Sequence, residues 1–537
     1  MMHPHQKPQP KLILTGSEAR QRLLAGAQKF TRTVCATYGP KGRHVMLDRA
    51  AGLLATKDGV TVAREIHLAD PVMNMACQIL KVACIKVNDE AGDGTTTVAC
   101  IASAILEEGL KLVEGGYNPI QVARGMRAAA NSAVNVVVDL ARPVEGQSQL
   151  EQVALIASNG NVEIARNMAE AVMAVGKNGT ITIEDGQGVA TVLEFKDGME
   201  IARGALSSHF LKNGTSRELV NPLIAVIVGT LKDVEDVQDV MEVASQWPDN
   251  PLLIFAETVQ GQALTTMIIN DSQGVMQCVA VASPGFVTRK RDYLGDIAAL
   301  AGADVVDLAM GNDWKSWNPE WFGTVSKVTI GAKKTTLLAL DEASEAIQER
   351  IKVIKREAAT AISDHDIDRL NERMASLSSG LCVMKIGAHT EAELKAKRAA
   401  VEDALSAVRA ALEDGVVPGG GTTYLAASDG LLATLPAEES PDFVAGWKAV
   451  AQALRAPLAT LANNAGESGS LVVERVRAAR LLPLSWVGWD GMTGQIRDLS
   501  LEPMVLDPQK VAISVIDASV SVASTLLTSE VSISGLR

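Results

Sequence analysis

A change of period divides this 537-residue chain into three. Up to about residue 140, apolar residues recur at helical spacing. In Asn74–Asn88, Met75, Ile79 and Val82 share one stripe, with Ala76, Leu80 and Ala83 beside it. Thr95–Leu112 is expected as a helix ending near Gly115-Gly116, and Asn118-Pro119 starts another that stops before Pro143. From about Thr180 the pattern becomes short β-branched runs: TITIE at 180–184, 191–195, LIAVIV at 223–228, LLIFA at 252–256, 275–282 and 304–308. Helical patterns at 234–246 and 262–271 lie between them, and a charge-laced helix is expected over 341–374. Beyond Glu391 the chain is Ala-rich and helical again. The order predicts an α/β domain inserted into a helical one, an α+β multidomain fold.

Composition excludes several functions. The net charge of −13 argues against non-specific nucleic-acid binding, which needs surplus Lys and Arg. Aromatic residues make up 3%, too few for base-stacking platforms. Cys35, Cys77, Cys84, Cys100, Cys278 and Cys382 form no CxxC pair and are expected as reduced, buried thiols. No apolar run approaches membrane-spanning length, and the polar, Pro-rich first ten residues lack a signal-peptide core. A soluble, cytosolic protein is expected.

Four segments are richer in Gly, Asp and Thr than their surroundings require: Thr37-Tyr38-Gly39-Pro40-Lys41-Gly42, Thr56-Lys57-Asp58-Gly59-Val60-Thr61, Ala91-Gly92-Asp93-Gly94-Thr95-Thr96-Thr97, and Gly415-Val416-Val417-Pro418-Gly419-Gly420-Gly421. In the third, glycines permit close approach of a ligand, and three threonines open a helix whose first N–H groups are unpaired, an anion site. An Asp among phosphate donors requires a hard cation between them, which makes Asp93 a magnesium ligand. The bland alternative is an Asp/Gly turn with a Thr cap. Asp58 alone is an ordinary turn carboxylate, Asp403 a helix-face residue, and a three-glycine run a flexible turn. No GxxxxGK[ST], GxGxxG, HExxH or GxSxG motif is present, so nucleotide chemistry here is not of the P-loop kind.

The blocks ATYGPKGRHVMLD, TKDGVTVAREI, NDEAGDGTTT, VEDALSAVRAALEDGVVPGGG and LDPQKV, in this order over about Lys11 to Glu530, resemble those of the group I, GroEL-like chaperonins. The resemblance implies an equatorial ATP domain from both chain ends (11–140 and 414–537), an intermediate hinge (141–196 and 382–413) and an inserted apical substrate domain (197–381). It implies ATP-driven protein folding in seven-subunit rings, with non-native polypeptides as substrates and a small lid co-chaperonin as a partner. Asp93 would hold Mg2+. Tyr38, Gly39, Pro40, Gly59, Gly94, Thr95, Thr96, Thr97, Gly419, Gly420, Asp490 and Asp507 would line the ATP site. Thr37 and Lys57 would line it too and would support K+. Asp403, assisted by Asp58, would orient the attacking water. Leu206, Phe210, Val240, Val243, Leu264, Ile268 and Ile269 would capture substrate. Arg203 and Glu391 would pair between neighbouring subunits.

Several positions depart from the family pattern. Ala205 and His209 stand where tyrosines are usual, Asp490 where Asn is usual, and Ala459 and Ser468 where an Arg and a Glu join two rings. Weakened ring–ring contacts and a specialised or non-cycling scaffold with a narrow client range are the alternatives these departures raise. Trp314, Trp317 and Trp321 are expected to serve local packing.

Overall fold

The structure is a computed structural model. It describes residues 11–535 apart from 50–51, 177–178, 187, 197, 212–215, 286–289, 308–309, 341–343, 361–362, 364–369, 371–372, 375–376, 378–380 and 481–483. The chain forms two compact units, one from residues 1–170 and 390–537, the other from 171–389. The inner unit is thus inserted into the outer one. Contacts group the chain into two units rather than the three domains expected. Residues 141–170 and 390–413 join the chain ends, while 171–196 and 382–389 join the inserted unit.

Helix boundaries in the outer unit follow local chemistry. Pro71–Ala91 starts where the Asp70 carboxylate accepts the N–H groups of Val72 and Met73, both at 2.9 Å, and ends at the left-handed Gly92. Thr95–Glu114 follows directly. Pro119–Leu140 is capped by Asn118, with proline in its first turn. The helices Gly16–Cys35, Pro71–Ala91, Thr95–Glu114, Pro119–Leu140, Pro441–Ala453 and Gln509–Leu527 enclose one aliphatic, Ala-rich core around Phe30, Leu80, Ile101, Ile105, Met126, Val515 and Ile516. Gln509–Leu527 is, by length and composition alone, apolar enough to cross a membrane, contrary to the reading of the runs above. Here most of its apolar residues, Val511, Val515, Ile516 and Val520 among them, are spent on that core.

Among the described residues, four strand pairings in the outer unit join distant segments or close hairpins that helical periodicity does not announce, one of them the hairpin of Val45–Arg49 with Gly52–Thr56. Lys11–Thr15 pairs antiparallel with Val531–Gly535, and Val416–Pro418 with Leu506–Pro508, while Val487–Asp490 and Gln495–Asp498 form a hairpin. The pairing of Val416–Pro418 puts Val417 opposite Asp507.

The inner unit contains the expected α/β pattern. Strands Cys278–Ala282, Leu252–Val259, Leu223–Leu231 and Val305–Asp307 run parallel in that order, and Gly323–Thr324 adds an antiparallel edge. The near-continuous apolar strands are those of a parallel sheet covered by helices. A four-stranded antiparallel sheet (198–201, 335–338, 327–331, 216–220) and a three-stranded one (180–185, 381–386, 192–196) complete the unit. Of the helix expected over 341–374, Ser344–Thr360 is present, and most of the remainder lies outside the described residues.

Candidate functional site

In the outer unit, four carboxylates from four separate stretches interact electrostatically: Asp58, Asp93, Asp403 and Asp507. Asp58 caps the short helix Gly59–Glu65, accepting from Val60 N at 3.1 Å and Thr61 N at 2.9 Å. Asp93 lies in the turn between two helices and accepts the Gly94 N–H at 2.5 Å. Gly92 has φ +79°, and a Cβ there would lie 2.2 Å from the Ser406 Cβ. Only glycine lets the helix Glu391–Asp414 pack this tightly on the turn, and that packing delivers Asp403, one turn before Ser406. Asp507 arrives through the pairing with Val416–Pro418, beside Gly419, whose added Cβ would meet its Oδ1 at 3.0 Å.

All four side chains are half-buried: accessible to a ligand, yet largely removed from water. Desolvation, with Asp58, Asp93 and Glu402 nearby, pushes the Asp403 carboxyl up to about 7; a hydrogen bond with Asn88 opposes this. Asp507 is pushed up to about 7 by burial and by Asp93. Burial also raises Asp93, against the pull of the Gly94 N–H, with Asp58 adding to the rise. Such a cluster of mutually opposing carboxylates is the signature of a site that binds a cation or moves protons.

The other expected turns gather around the cluster. An added Cβ on Gly59 would lie 2.4 Å from Thr96 Oγ1, which places the Lys57-Asp58-Gly59 turn against the first turn of Thr95–Glu114. Gly94 caps that helix in the left-handed region and supplies no side-chain cap to its first N–H groups. Thr95 and Thr97 are buried and Thr96 half-buried. The Tyr38 hydroxyl shares a 2.8 Å hydrogen bond with Thr97 Oγ1, and the Thr37 hydroxyl donates to the Val34 carbonyl. Gly39 and Pro40 are exposed. The 487–498 hairpin closes on them: an added Cβ on Gly491 would meet Pro40 Cγ at 3.1 Å, and one on Gly420 the Trp489 carbonyl at 3.2 Å.

Asp490, expected to line the ATP site, is engaged within its own hairpin. Its carboxylate accepts the N–H groups of Met492 and Thr493 and pairs with Arg497 at 3.1 Å, holding its own hairpin together, and these donors keep it ionised below the usual carboxylate range despite burial. Potassium support from Lys57 would have to come from its carbonyl, because its side chain is itself a cation. No group of three His, Cys, Asp or Glu side chains among the described residues forms a metal cage by itself. Two cavities, of about 490 Å³ (lined by Ser148, Glu151, Gln152, Glu502 and Pro503) and about 280 Å³ (Glu235, Gln238, Asp239, Glu242 and Lys315), do not include the carboxylates. The shifted carboxylates mark the site, because they record a chemical environment rather than a shape.

Comparison with known proteins shows the family. The TCP-1/cpn60 chaperonin family model matches residues 30–248 and 248–534. The chain belongs to the TCP-1/cpn60 chaperonin family. It is a divergent GroEL-like member. Among solved structures it is similar to the chaperonin gp146 from the bacteriophage EL 2 (Pseudomonas aeruginosa), crystallised in the presence of ATP-BeFx. In crystal form II the TM-score is 0.72 at 20% identity, covering 98% of this chain and 100% of that one. In crystal form I it is 0.66 at 21% identity, covering 98% and 99%.

In this chaperonin the inner unit corrects part of the expected capture surface. Val240 and Phe210 are fully buried and therefore do not belong to an exposed apolar patch. The helix Glu235–Ala244 has one apolar stripe, and Val237, Val240, Met241 and Ala244 place it in the core beneath. A single stripe cannot serve core and solvent at once. Its outer face is polar: Glu235, Gln238 and Glu242 are exposed, Lys315 pairs with Glu235 and Asp236, and Asp239 accepts the Trp317 backbone N–H. The helix Gly261–Ser272 retains apolar surface. Ala263, Met267 and Asp271 face inward, with Asp271 gripped by Arg217 through two 2.7 Å hydrogen bonds, which fixes the helix rotation. Leu264 and Ile268 are left half-buried and Ile269 46% exposed. Leu206 and Val243 are half-buried.

Arg203 is exposed and Glu391 pairs with Lys395 at 2.8 Å within its own helix; the two belong to different units. Trp317 packs edge-on to Trp321 and against Phe322, which also meets Trp247, so these rings serve packing as expected.

Proposed function

We propose that this chaperonin binds ATP with Mg2+ at the Asp58/Asp93/Asp403/Asp507 cluster and uses its hydrolysis to drive capture and folding of non-native polypeptides in a homo-oligomeric, seven-subunit ring. The observation that carries the proposal is the convergence of four half-buried carboxylates beside a helix N-terminus opened by Gly94 and three threonines. Buried negative charge in excess is relieved by a divalent cation, and the lack of a full protein cage suits Mg2+, which keeps water and substrate phosphates among its ligands. Asp93 would hold it; when bound, the ion neutralises phosphate charge. The N–H groups at the start of Thr95–Glu114, with the Thr96 hydroxyl, orient the phosphates. Asp507 accepts hydrogen bonds from ribose hydroxyls beside Gly419 and Gly420. Asp403, ionised, accepts a hydrogen bond from the attacking water and aligns it, with Asp58 alongside.

In this reading residues 141–196 and 382–413 act as the hinge, so that movement of the helix bearing Asp403 gates hydrolysis. Thr37 and Lys57 support a potassium ion, Arg203 and Glu391 of neighbouring subunits pair, and a small lid co-chaperonin docks on the apical helices. The setting is the cytoplasm. The polar outer face of Glu235–Ala244 favours a second reading of the clientele: with capture resting on Leu264, Ile268 and Ile269, the range of clients is narrow. Electron microscopy of the purified protein with and without ATP, together with phosphate release, tests the proposal. Seven-fold rings and Mg2+-dependent phosphate release are expected; monomers that release no phosphate would refute it.

A further inference from the structure

We infer that Asn464, at the end of the helix Ala456–Asn464, is a positioning residue that sets nucleotide affinity by holding the backbone of the Tyr38-Gly39-Pro40 turn. The inference rests on the ATP-binding reading above. The Asn464 Nδ2 donates to the Cys35 carbonyl at 2.8 Å and to the Tyr38 carbonyl at 3.0 Å, across 429 and 426 residues of sequence. Both N–H groups of the amide are thereby used. The two acceptors are special. Cys35 ends the helix Gly16–Cys35, where carbonyls lack intrahelical partners, and the Tyr38 carbonyl immediately precedes Gly39, which has φ +80°. With its hydroxyl shared with Thr97 and its carbonyl held by Asn464, Tyr38 is tied at both ends.

The rest of the same short helix supports the other nucleotide turns. The Leu461 Cδ2 lies 2.2 Å from where a Gly39 Cβ would be, the Leu458 backbone N 2.7 Å from that of Gly421, and Thr460 Oγ1 3.3 Å from Cys100 Sγ on Thr95–Glu114. The carboxylates are held elsewhere: Asp58 by its own cap, Asp93 by Gly94, and Asp403 on Glu391–Asp414. Asn464 therefore governs where ATP is held and leaves the alignment of water to other elements. That separation predicts a split between KM and kcat.

The test uses the full chain, with ATP affinity from calorimetry and phosphate release measured against ATP concentration. Asn464→Asp keeps the shape but turns an oxygen and a charge toward two carbonyls. It is expected to raise Kd and KM for ATP by about tenfold or more, to leave kcat at saturating ATP within about twofold, and to lower the melting temperature by only a few degrees. Asn464→Ala, which removes the donors without adding charge, is expected to act in the same direction by about three- to tenfold, and it carries the test if Asn464→Asp does not fold. Unchanged affinity in folded Asn464→Ala, or a loss of kcat with KM unchanged, would overturn the inference. Wild-type protein that binds no ATP would instead overturn the functional reading beneath it.

Discussion

The outer and inner units answer the same question differently: how a side chain comes to face a ligand. In the outer unit, backbone geometry decides. Gly92 admits the helix that carries Asp403, Gly94 opens the Thr95–Glu114 helix, and Asp58 is oriented by the two N–H groups it caps. In the inner unit, packing decides. Glu235–Ala244 could have turned its one apolar stripe either way, and the sheet beneath took it. Chemistry fixed by turns is robust to surface drift, whereas an exposed apolar face is easily exchanged for a polar one.

Parallel substitutions in Glu235–Ala244 and Gly261–Ser272 test this difference most sharply. Val240→Ser removes a fully buried side chain and is expected to destabilise the inner unit by about 2–4 kcal/mol in denaturant titrations. Ile268→Ser, at a half-buried position, is expected to cost less than about 1 kcal/mol while weakening capture of an unfolded client in light-scattering assays. Equal losses of stability would show that both faces are core. Loss of capture by Val240→Ser in protein that stays fully stable would restore Val240 to the surface.

A smaller effect separates the units by pH. Burial and neighbouring carboxylates raise the carboxyls of Asp403 and Asp507 to about 7. A raised carboxyl contributes stability that is complete below its unfolded value near 4 and is lost as pH rises through about 7. Asp507→Asn is therefore expected to flatten the fall in stability between about pH 4 and 7, read as melting temperature at each pH. Because Asp403 must be ionised to orient water, kcat/KM for ATP is expected to climb as pH rises through about 7. A rate flat from pH 6 to 8 would contradict that role.

The same contrast explains what sequence made legible. The nested order and most long helices follow from caps, glycines and periodicity, each local within a few positions, and Asp93 from its Gly/Thr turn, whereas Asp58, Asp403 and Asp507 join the site only through the family resemblance. Three further features do not follow locally. Val416–Pro418 finds Leu506–Pro508 about ninety residues away, a pairing no local pattern encodes. The direction of the Val237/Val240/Met241 stripe depends on which surface offers more apolar contact, and periodicity gives a stripe without its partner. Asp490 is placed at the ATP site only by the family resemblance, and its bonds to Met492, Thr493 and Arg497 depend on how the hairpin closes. Asn464 carried a faint signal, a polar residue ending an apolar helix, but its acceptors lie more than four hundred residues upstream.

The central claim is that four carboxylates gathered from distant turns form one ATP-hydrolysing site in which Asp403 acts on water rather than on nucleotide binding. Parallel measurement of ATP affinity and steady-state phosphate release for wild type and Asp403→Ala tests it most directly. Affinity within a few-fold of wild type and turnover reduced by about a hundredfold or more are expected. Near-normal turnover in Asp403→Ala, or loss of binding in step with loss of rate, would contradict it.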